Sequence, residues 1–169
     1  SPARKVALVS PWTPPMKAVM SMLTMSPSSI ARAGANVGAS DVAGSALEGD
    51  AVARGGSYLA HRLGQRVAAP FVSISDDPTD GCGALAYAWD DEGHAAQPVH
   101  LIHEGRVGTP LLDSRSAKVL GLAPNGHGRR VGFKHPPLAR MAHTRVEPHE
   151  GHLEGLLADV PHGLLVRHL

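Results

Sequence analysis

Short apolar stretches alternate with turn-forming residues along the chain, and they predict two structurally different parts. Apolar residues near the N-terminus predict one short strand, which a group of prolines terminates. Ser26 and Pro27 are typical of the first residues of a helix, and the alanine-rich segment after them predicts a helix over 27–54. Residues 1–25 are therefore predicted to be an N-terminal strand and linker ahead of this helix.

The pattern becomes that of strands from residue 66 onwards. Alternating and β-branched residues predict a strand over 66–75, and the turn Glu104–Gly105 predicts a hairpin between two apolar runs. Further elements are predicted as a strand over 84–89, a short helix over 114–122 and a helical segment over 150–162. The predicted fold class is α+β, with an N-terminal helix segment followed by a β-rich antiparallel domain over 66–169.

Charge and composition exclude several classes of function. Sixteen Lys and Arg against fifteen Asp and Glu give a net charge of +1, so neither nucleic acid nor an anionic membrane is a predicted partner. No apolar run approaches the roughly 18 residues of a transmembrane helix, and prolines interrupt any signal peptide. The single cysteine, Cys82, excludes an internal disulfide framework and fits a cytoplasmic protein. The apolar segment 163–169 stops without a turn signal, which indicates a truncated chain.

Histidines are concentrated in the second half of the chain, which raises the question of a metal site. His149 and His152 have a spacing that brings two rings to one side of a helix, but the neighbouring proline and glycine favour a loop there. His100 and His103 lie on a predicted strand, and a separation of three residues on a strand directs two rings to opposite faces. Neither pair is therefore predicted to bind a metal, and ordinary hydrogen-bonded or exposed histidines are expected.

The densest group of polar residues is the segment Asn125-Gly-His-Gly-Arg-Arg130, followed by Arg140. Glycines beside a histidine let the backbone approach a ligand closely, and the arginines offer planar groups that suit a carboxylate. A peptide carboxylate would fit this segment. The alternative is a basic turn paired with structural acids such as Asp76 or Asp77.

Two groups of sequence motifs lie on either side of a short acidic turn. The first group comprises Ala46-Leu-Glu-Gly-Asp50, Arg54-Gly-Gly-Ser57 and Asp76-Asp-Pro-Thr79. The second comprises Ala123-Pro-Asn-Gly-His-Gly-Arg-Arg130 and Pro136-Pro-Leu-Ala-Arg-Met141, with Asp90-Asp-Glu-Gly93 between the groups. Together, these motifs resemble those of the TldD/PmbA proteins, a metallopeptidase family also called modulators of DNA gyrase. The resemblance implies that residues 26–169 are a truncated part of the C-terminal region of this family.

The family's zinc motif is altered in this sequence. Metal-bearing members carry His-Glu-x-x-x-His just before the Leu-Glu-Gly-Asp segment, where the histidines bind zinc and the glutamate takes a proton from the metal-bound water. The corresponding positions here are Ser40, Asp41 and Ser45. A serine hydroxyl is a poor zinc ligand at neutral pH. No metal or other cofactor is therefore predicted, and the catalytic residues are unknown.

The resemblance implies a non-catalytic subunit that pairs with a homologous TldD/PmbA-type subunit, as a heterodimer or a homodimer, to handle a peptide or a small peptide-like substrate. Asn125, Arg129, Arg130 and Arg140 are then the expected substrate or interface contacts. The alternative is a hydrolase with altered chemistry, which uses Asp41 and Ser45, or a metal held by histidines elsewhere in the chain, on a small peptide-like biosynthetic substrate. A third reading is a structural or regulatory protein without a substrate. The sequence does not decide whether the chain is an enzyme.

Overall fold

The structure, a computed structural model, describes residues 43–81 and 86–147. Its elements are a 3-10 helix at Ser45–Leu47, two α-helices, α1 at Gly49–Ala53 and α2 at Ser114–Leu120, and six strands: β1 Ile74–Asp76, β2 Val99–His103, β3 Arg106–Val107, β4 Gly128–Arg129, β5 Leu138–Ala139 and β6 Thr144–Val146. Helices are few, and all strand pairs are antiparallel. The predicted α+β class with an antiparallel sheet is confirmed.

A four-stranded sheet in the order β3-β2-β1-β6 forms the centre of the described region, and β4 and β5 form a separate two-stranded sheet. One face of the larger sheet packs on the core, where Leu47, Leu59, Ile74 and Leu101 are almost completely buried. Burying such side chains stabilises a fold by about 1.5–3 kcal/mol each, so these contacts hold the short 45–53 segment against the sheet.

The hairpin of β2 and β3 forms where the sequence predicts it. Its turn residues, Glu104 and Gly105, both have a positive φ, of 47° and 75°. Two such residues make the tight turn whose twist matches that of the flanking strands. A Cβ at Gly105 would lie 2.3 Å from the carbonyl oxygen of Ala68, so the turn also packs closely on neighbouring backbone.

Strand β2 contains a bulge that the sequence pattern does not reveal. Ile74 lies opposite Ile102 and Ser75 lies opposite His100, so no residue of β1 pairs with Leu101. The extra residue lets Leu101 and Ile102 both face the core and leaves His100 and His103 both exposed. The expectation that the two histidine rings point to opposite faces is therefore wrong, because the period of two is broken between them.

The segment before residue 54 is not one continuous helix over its described part. Glu48 is extended, with φ −62° and ψ 127°, and separates the 3-10 helix from α1. The amide of Gly49 donates to the carbonyl of Leu111 at 2.7 Å, and the amide of Leu111 donates to Leu47 at 2.8 Å. These hydrogen bonds replace helical ones, which explains the interruption.

Helix α2 confirms the element predicted over 114–122. Asp113 accepts a hydrogen bond from the amide of Ser116 at 2.9 Å, and the Ser116 hydroxyl contacts the Asp113 amide in return, which forms a capping box. The helix ends at Gly121 in the left-handed conformation, with φ 68°.

The remaining elements are shorter than predicted or lie elsewhere. Of the strand predicted over 66–75, the structure forms only β1 at its end, and within 86–89 only Trp89 makes a bridge. The predicted elements at 1–25 and 150–162 and most of the helix at 27–54 lie outside the described residues. Within the described ranges, no helix is long and apolar enough to cross a membrane.

Candidate functional site

A fully buried acid and a fully buried histidine meet beneath the motif segments. Asp76 ends β1 and His127 precedes β4, and both side chains are 0% exposed. The Nε2 atom of His127 lies 3.2 Å from Oδ1 of Asp76. The hydroxyl of Thr144 donates to Oδ2 of Asp76 at 2.6 Å, and the amide of Ala142 donates to Oδ1 at 3.0 Å. The carboxylate is thus surrounded by donors.

These donors decide the charge of the carboxyl group. Burial by itself would raise the pKa of Asp76, because water no longer stabilises the charged form. The hydrogen bonds from His127, Thr144 and the amide of Ala142 favour the ionised form and prevail, so the pKa of Asp76 is lowered from its ordinary value. Asp76 is therefore a buried carboxylate at neutral pH.

The orientation of His127 is set by Asn125. The Asn125 side chain accepts a hydrogen bond from the amide of Leu112 at 2.8 Å and donates to the carbonyl of Pro110 at 2.9 Å, which identifies its oxygen and its nitrogen. The Nδ1 atom of His127 lies 3.0 Å from that side-chain oxygen and 3.0 Å from the backbone oxygen of Asn125. Both ring nitrogens of His127 thus face oxygen atoms, of Asn125 on one side and of Asp76 on the other.

A second group of charges lies beside the first, on the segment that follows Ser45. The guanidinium of Arg140 lies 2.9 Å from Glu48 and 3.7 Å from Asp50, and Asp50 also pairs with Arg54 at 3.0 Å. Glu48 and Asp50 are largely buried, with side chains 16% and 18% exposed, whereas that of Arg140 is 38% exposed. Burial raises the pKa of Glu48 despite the opposing effect of Arg140. The site is therefore partly exposed to solvent at this charged cluster, through the side chain of Arg140.

Backbone and packing contacts join the two groups. The amide of Arg140 donates to the carbonyl of His127 at 2.9 Å. A Cβ at Gly44 would lie 2.0 Å from Sδ of Met141 and 3.3 Å from the Thr144 hydroxyl, which itself contacts Asp76. Only a residue without a side chain lets the motif segment approach so closely. Segment 44–50 thus rests directly on the buried network.

The acidic turn Asp90-Asp-Glu-Gly93 supports the basic segment from the other side. Asp90 accepts a hydrogen bond from the amide of Gly128 at 2.9 Å, and Asp91 accepts one from the amide of Arg130 at 2.7 Å. Glu92 accepts from the amide of Ser114 at 2.7 Å. These three carboxylates fix the backbone of β4 and the start of α2 relative to each other.

The site residues predicted from sequence occupy different environments. Ser45 is exposed at the start of the 3-10 helix, whereas Ser40 and Asp41 lie outside the described residues. Asn125 is buried, and Arg129 donates to the carbonyl of Met141 at 2.8 Å and lies 5.6 Å from the centre of the Tyr87 ring. Arg130 is exposed and donates to the carbonyl of Asp91 at 3.2 Å.

The structure also shows contacts that the sequence pattern does not specify. The sequence offers Asp76 as a structural acid for the basic turn, and in the structure Asp76 contacts His127 of that turn, whose two flanking glycines are the local signal. Glu48 lies in the Leu-Glu-Gly-Asp motif, yet its pairing with Arg140, 92 residues away, has no local signature. Tyr87 was missed as well. Burial raises the pKa of Tyr87 to about 12, although Arg129 lies over its ring.

The donor chemistry of the described residues does not fit the zinc ion that the family resemblance implies. Ser45 is the one motif position within 43–81 and 86–147, and it offers only a neutral hydroxyl. No three His, Cys, Asp or Glu side chains in those two ranges are grouped as ligands of one metal. The nearest carboxylates, Glu48 and Asp50, are engaged by Arg140.

Comparison with known proteins gives consistent results. Residues 32–169 match the model of the PmbA/TldA metallopeptidase C-terminal domain. A metalloprotease of Methanothermobacter thermautotrophicus is 38% identical over 126 residues, which cover 73% of this chain and 27% of that protein. A TldD homologue of Haemophilus influenzae, also named a metalloprotease, is 30% identical over 128 residues, 76% of this chain and 27% of its own length. The chain thus spans about a quarter of the length of these relatives.

Solved structures share the fold. A Thermotoga maritima protein described as a modulator of a DNA gyrase superposes with a TM-score of 0.58 at 26% identity, covering 66% of this chain and 24% of that one. TldE from Thermococcus kodakarensis superposes with a TM-score of 0.57 at 23% identity, covering 70% and 27%. The matched domain, the related sequences and the shared fold agree, and the chain belongs to the TldD/PmbA metallopeptidase family.

Proposed function

We propose that this chain contributes the C-terminal part of a non-catalytic TldD/PmbA-type subunit, which pairs with a homologous subunit that carries zinc. The proposal is supported by the chemistry of Ser45, an exposed serine at the position that counting back from Leu47-Glu-Gly-Asp50 assigns to a zinc-binding histidine of metal-bearing members. The segment around it is nevertheless held in place by Arg140, which contacts Glu48 and Asp50. A supporting subunit has to keep the shape of this segment but does not have to bind zinc, and these contacts together with a serine at position 45 fit that role.

The proposed substrate is a peptide or a peptide-like molecule, bound at the open side of the charged cluster. Arg130 is exposed and the Arg140 side chain is partly exposed, and each guanidinium can bind a carboxylate through two parallel hydrogen bonds. A substrate carboxylate would compete with Glu48 for Arg140. Asn125 and Arg129 contribute by holding the loop that presents Arg130, because their own polar atoms already contact backbone carbonyls.

The proposed partner is a second member of the same family. The relatives include TldD homologues, and the structural neighbours include a TldE protein. Two related but chemically different subunits suit a heterodimer in which one member supplies zinc chemistry and the other supplies substrate contacts. A homodimer of this chain is the alternative assembly, and it would leave both subunits without the zinc motif.

Co-expression with a zinc-motif homologue tests the pairing. The full chain is expected to co-purify with that homologue, and the complex is expected to hydrolyse unfolded peptides that neither subunit hydrolyses alone. Failure to co-purify would contradict the proposal. Peptide hydrolysis by the isolated chain, lost in Asp41→Ala, would favour the hydrolase with altered chemistry instead.

An arginine variant tests the substrate contacts within the complex. Arg140→Ala is expected to raise KM for a peptide substrate by about tenfold or more, because a charge-assisted hydrogen bond contributes about 1.5–3 kcal/mol. The matched control is Arg115→Ala, which removes an exposed arginine of α2 and is expected to leave KM unchanged. Equal KM values for the two variants would refute a role of Arg140 in binding.

A further inference from the structure

The bulge in β2 creates a pair of histidines that stands apart from the site described above. His100 and His103 are both exposed on the face of the sheet opposite the core. Their ring centres lie 5.0 Å apart, and the ring planes are inclined by 41°. Bulges often redirect a side chain at functional sites, and here the redirection is what makes two imidazoles neighbours.

Within the part of the chain that the structure describes, neither ring has a hydrogen-bond partner. Arg106 lies directly opposite His103 in the ladder. The guanidinium of Arg106 donates to the carbonyl of Gly64 at 3.1 Å, which places its positive charge beside Gly64.

The separation of the rings matches that of two imidazoles on one metal ion. With metal–nitrogen distances of about 2.0–2.1 Å, ring centres lie about 4.5 Å apart at a right angle and about 5.2 Å apart at a tetrahedral angle. The observed 5.0 Å lies between these values. We propose that His100 and His103 form a binding site for a divalent transition-metal ion that prefers imidazole, such as Cu²⁺, Ni²⁺ or Zn²⁺.

This site is separate from the zinc position of the family. It lies on β2 and uses no residue of the segment 40–50, so it is independent of the proposed partner role. Two protein ligands leave further coordination positions for water or for another donor molecule. An ion held in this way is exchangeable, in contrast to the closed four-ligand sites that stabilise small domains.

The competing explanation is simple contact between two aromatic rings, which also favours separations of about 4.5–7 Å. The two explanations differ in what they predict for metal affinity. Cu²⁺ is the most sensitive probe, because it binds nitrogen ligands more tightly than the other divalent first-row ions. Calorimetric titration of the full chain, purified without a histidine tag, measures the stoichiometry and the dissociation constant.

We expect one high-affinity Cu²⁺ per chain and an electron paramagnetic resonance spectrum with nitrogen coordination. His100→Ala and His103→Ala are each expected to weaken this binding by about tenfold or more, since each removes one of two protein ligands. His61→Ala, which removes an exposed histidine elsewhere, is the matched control and is expected to leave the affinity unchanged. Urea unfolding without metal checks that all three variants are folded.

Two results would overturn the proposal. The first is the absence of saturable Cu²⁺ binding by the unaltered chain. The second is an affinity that is unchanged in the double variant His100→Ala/His103→Ala, which would place the metal at other histidines and leave ring contact as the sole role of the pair.

Discussion

Replacing Asp76 by asparagine should destabilise the protein severely, because it removes a fully buried carboxylate and places an NH2 group among hydrogen-bond donors. Asp76 and His127 are both 0% exposed, and the carboxylate also accepts hydrogen bonds from Thr144 and the amide of Ala142. Removing one partner of a buried pair typically costs about 3–5 kcal/mol, because the buried polar groups that contacted it are left without a partner. That is a large part of the roughly 5–15 kcal/mol that stabilises a typical domain.

Urea unfolding followed by far-ultraviolet circular dichroism measures this cost. Asp76→Asn is expected to lower the free energy of unfolding by about 3–5 kcal/mol, whereas the control Asp91→Asn, at an exposed carboxylate, should cost less than about 1 kcal/mol. The double variant Asp76→Asn/His127→Leu should cost less than the sum of its single changes, with a coupling of about 0.5–3 kcal/mol. Additive effects, or a cost of Asp76→Asn below about 1 kcal/mol, would refute the coupling between Asp76 and His127.

The remaining predictions concern pH, a turn and a helix cap. The pKa of Asp76 is lowered from its ordinary value of 3.8 in the folded protein. The stability that Asp76 contributes is therefore fully present above the ordinary pKa and is lost as the pH falls through the pKa of the folded state. Acid unfolding should accordingly be less steep in Asp76→Asn. Gly105→Ala should lower the free energy of unfolding by about 2 kcal/mol or more in urea titrations, because a Cβ there meets the carbonyl of Ala68. The control Gly121→Ala has a similar φ but open space around it, so it should cost only about 1 kcal/mol. Asp113→Ala should cost about 1 kcal/mol through the lost capping box, and an unchanged midpoint of unfolding would contradict that role.

Local signals in the sequence identify the elements whose geometry is fixed by neighbouring residues. The β2–β3 hairpin follows from Glu104–Gly105, and α2 follows from a capping residue at one end and Gly121 at the other. In both cases, the residues that determine the backbone lie within a few positions of it. Such elements can be predicted from one sequence alone.

Contacts between distant residues determine what the sequence pattern leaves open. The break at Glu48 depends on hydrogen bonds to Leu111, and the pair of Asp76 and His127 joins residues 51 positions apart. The bulge at Leu101 has no marker such as glycine, and it is visible only from the register with β1. The candidate site is built mainly from such contacts. The sequence therefore identifies the charged residues of the site but not most of their partners.

The position of Asp76 has a consequence for the order in which the protein acquires its structure. Its carboxylate lies on a central strand, and the donors that neutralise it belong to residues 127 and 142–144. During synthesis, β1 emerges long before these residues, so its carboxylate must remain hydrated until β6 can pair with it. A chain that ends before β6 therefore leaves the Asp76 carboxylate exposed to water at the edge of the sheet. Pairing of β6 with β1 removes this carboxylate from water, so the amide of Ala142, which donates to it, is expected to exchange its hydrogen slowly in the folded protein.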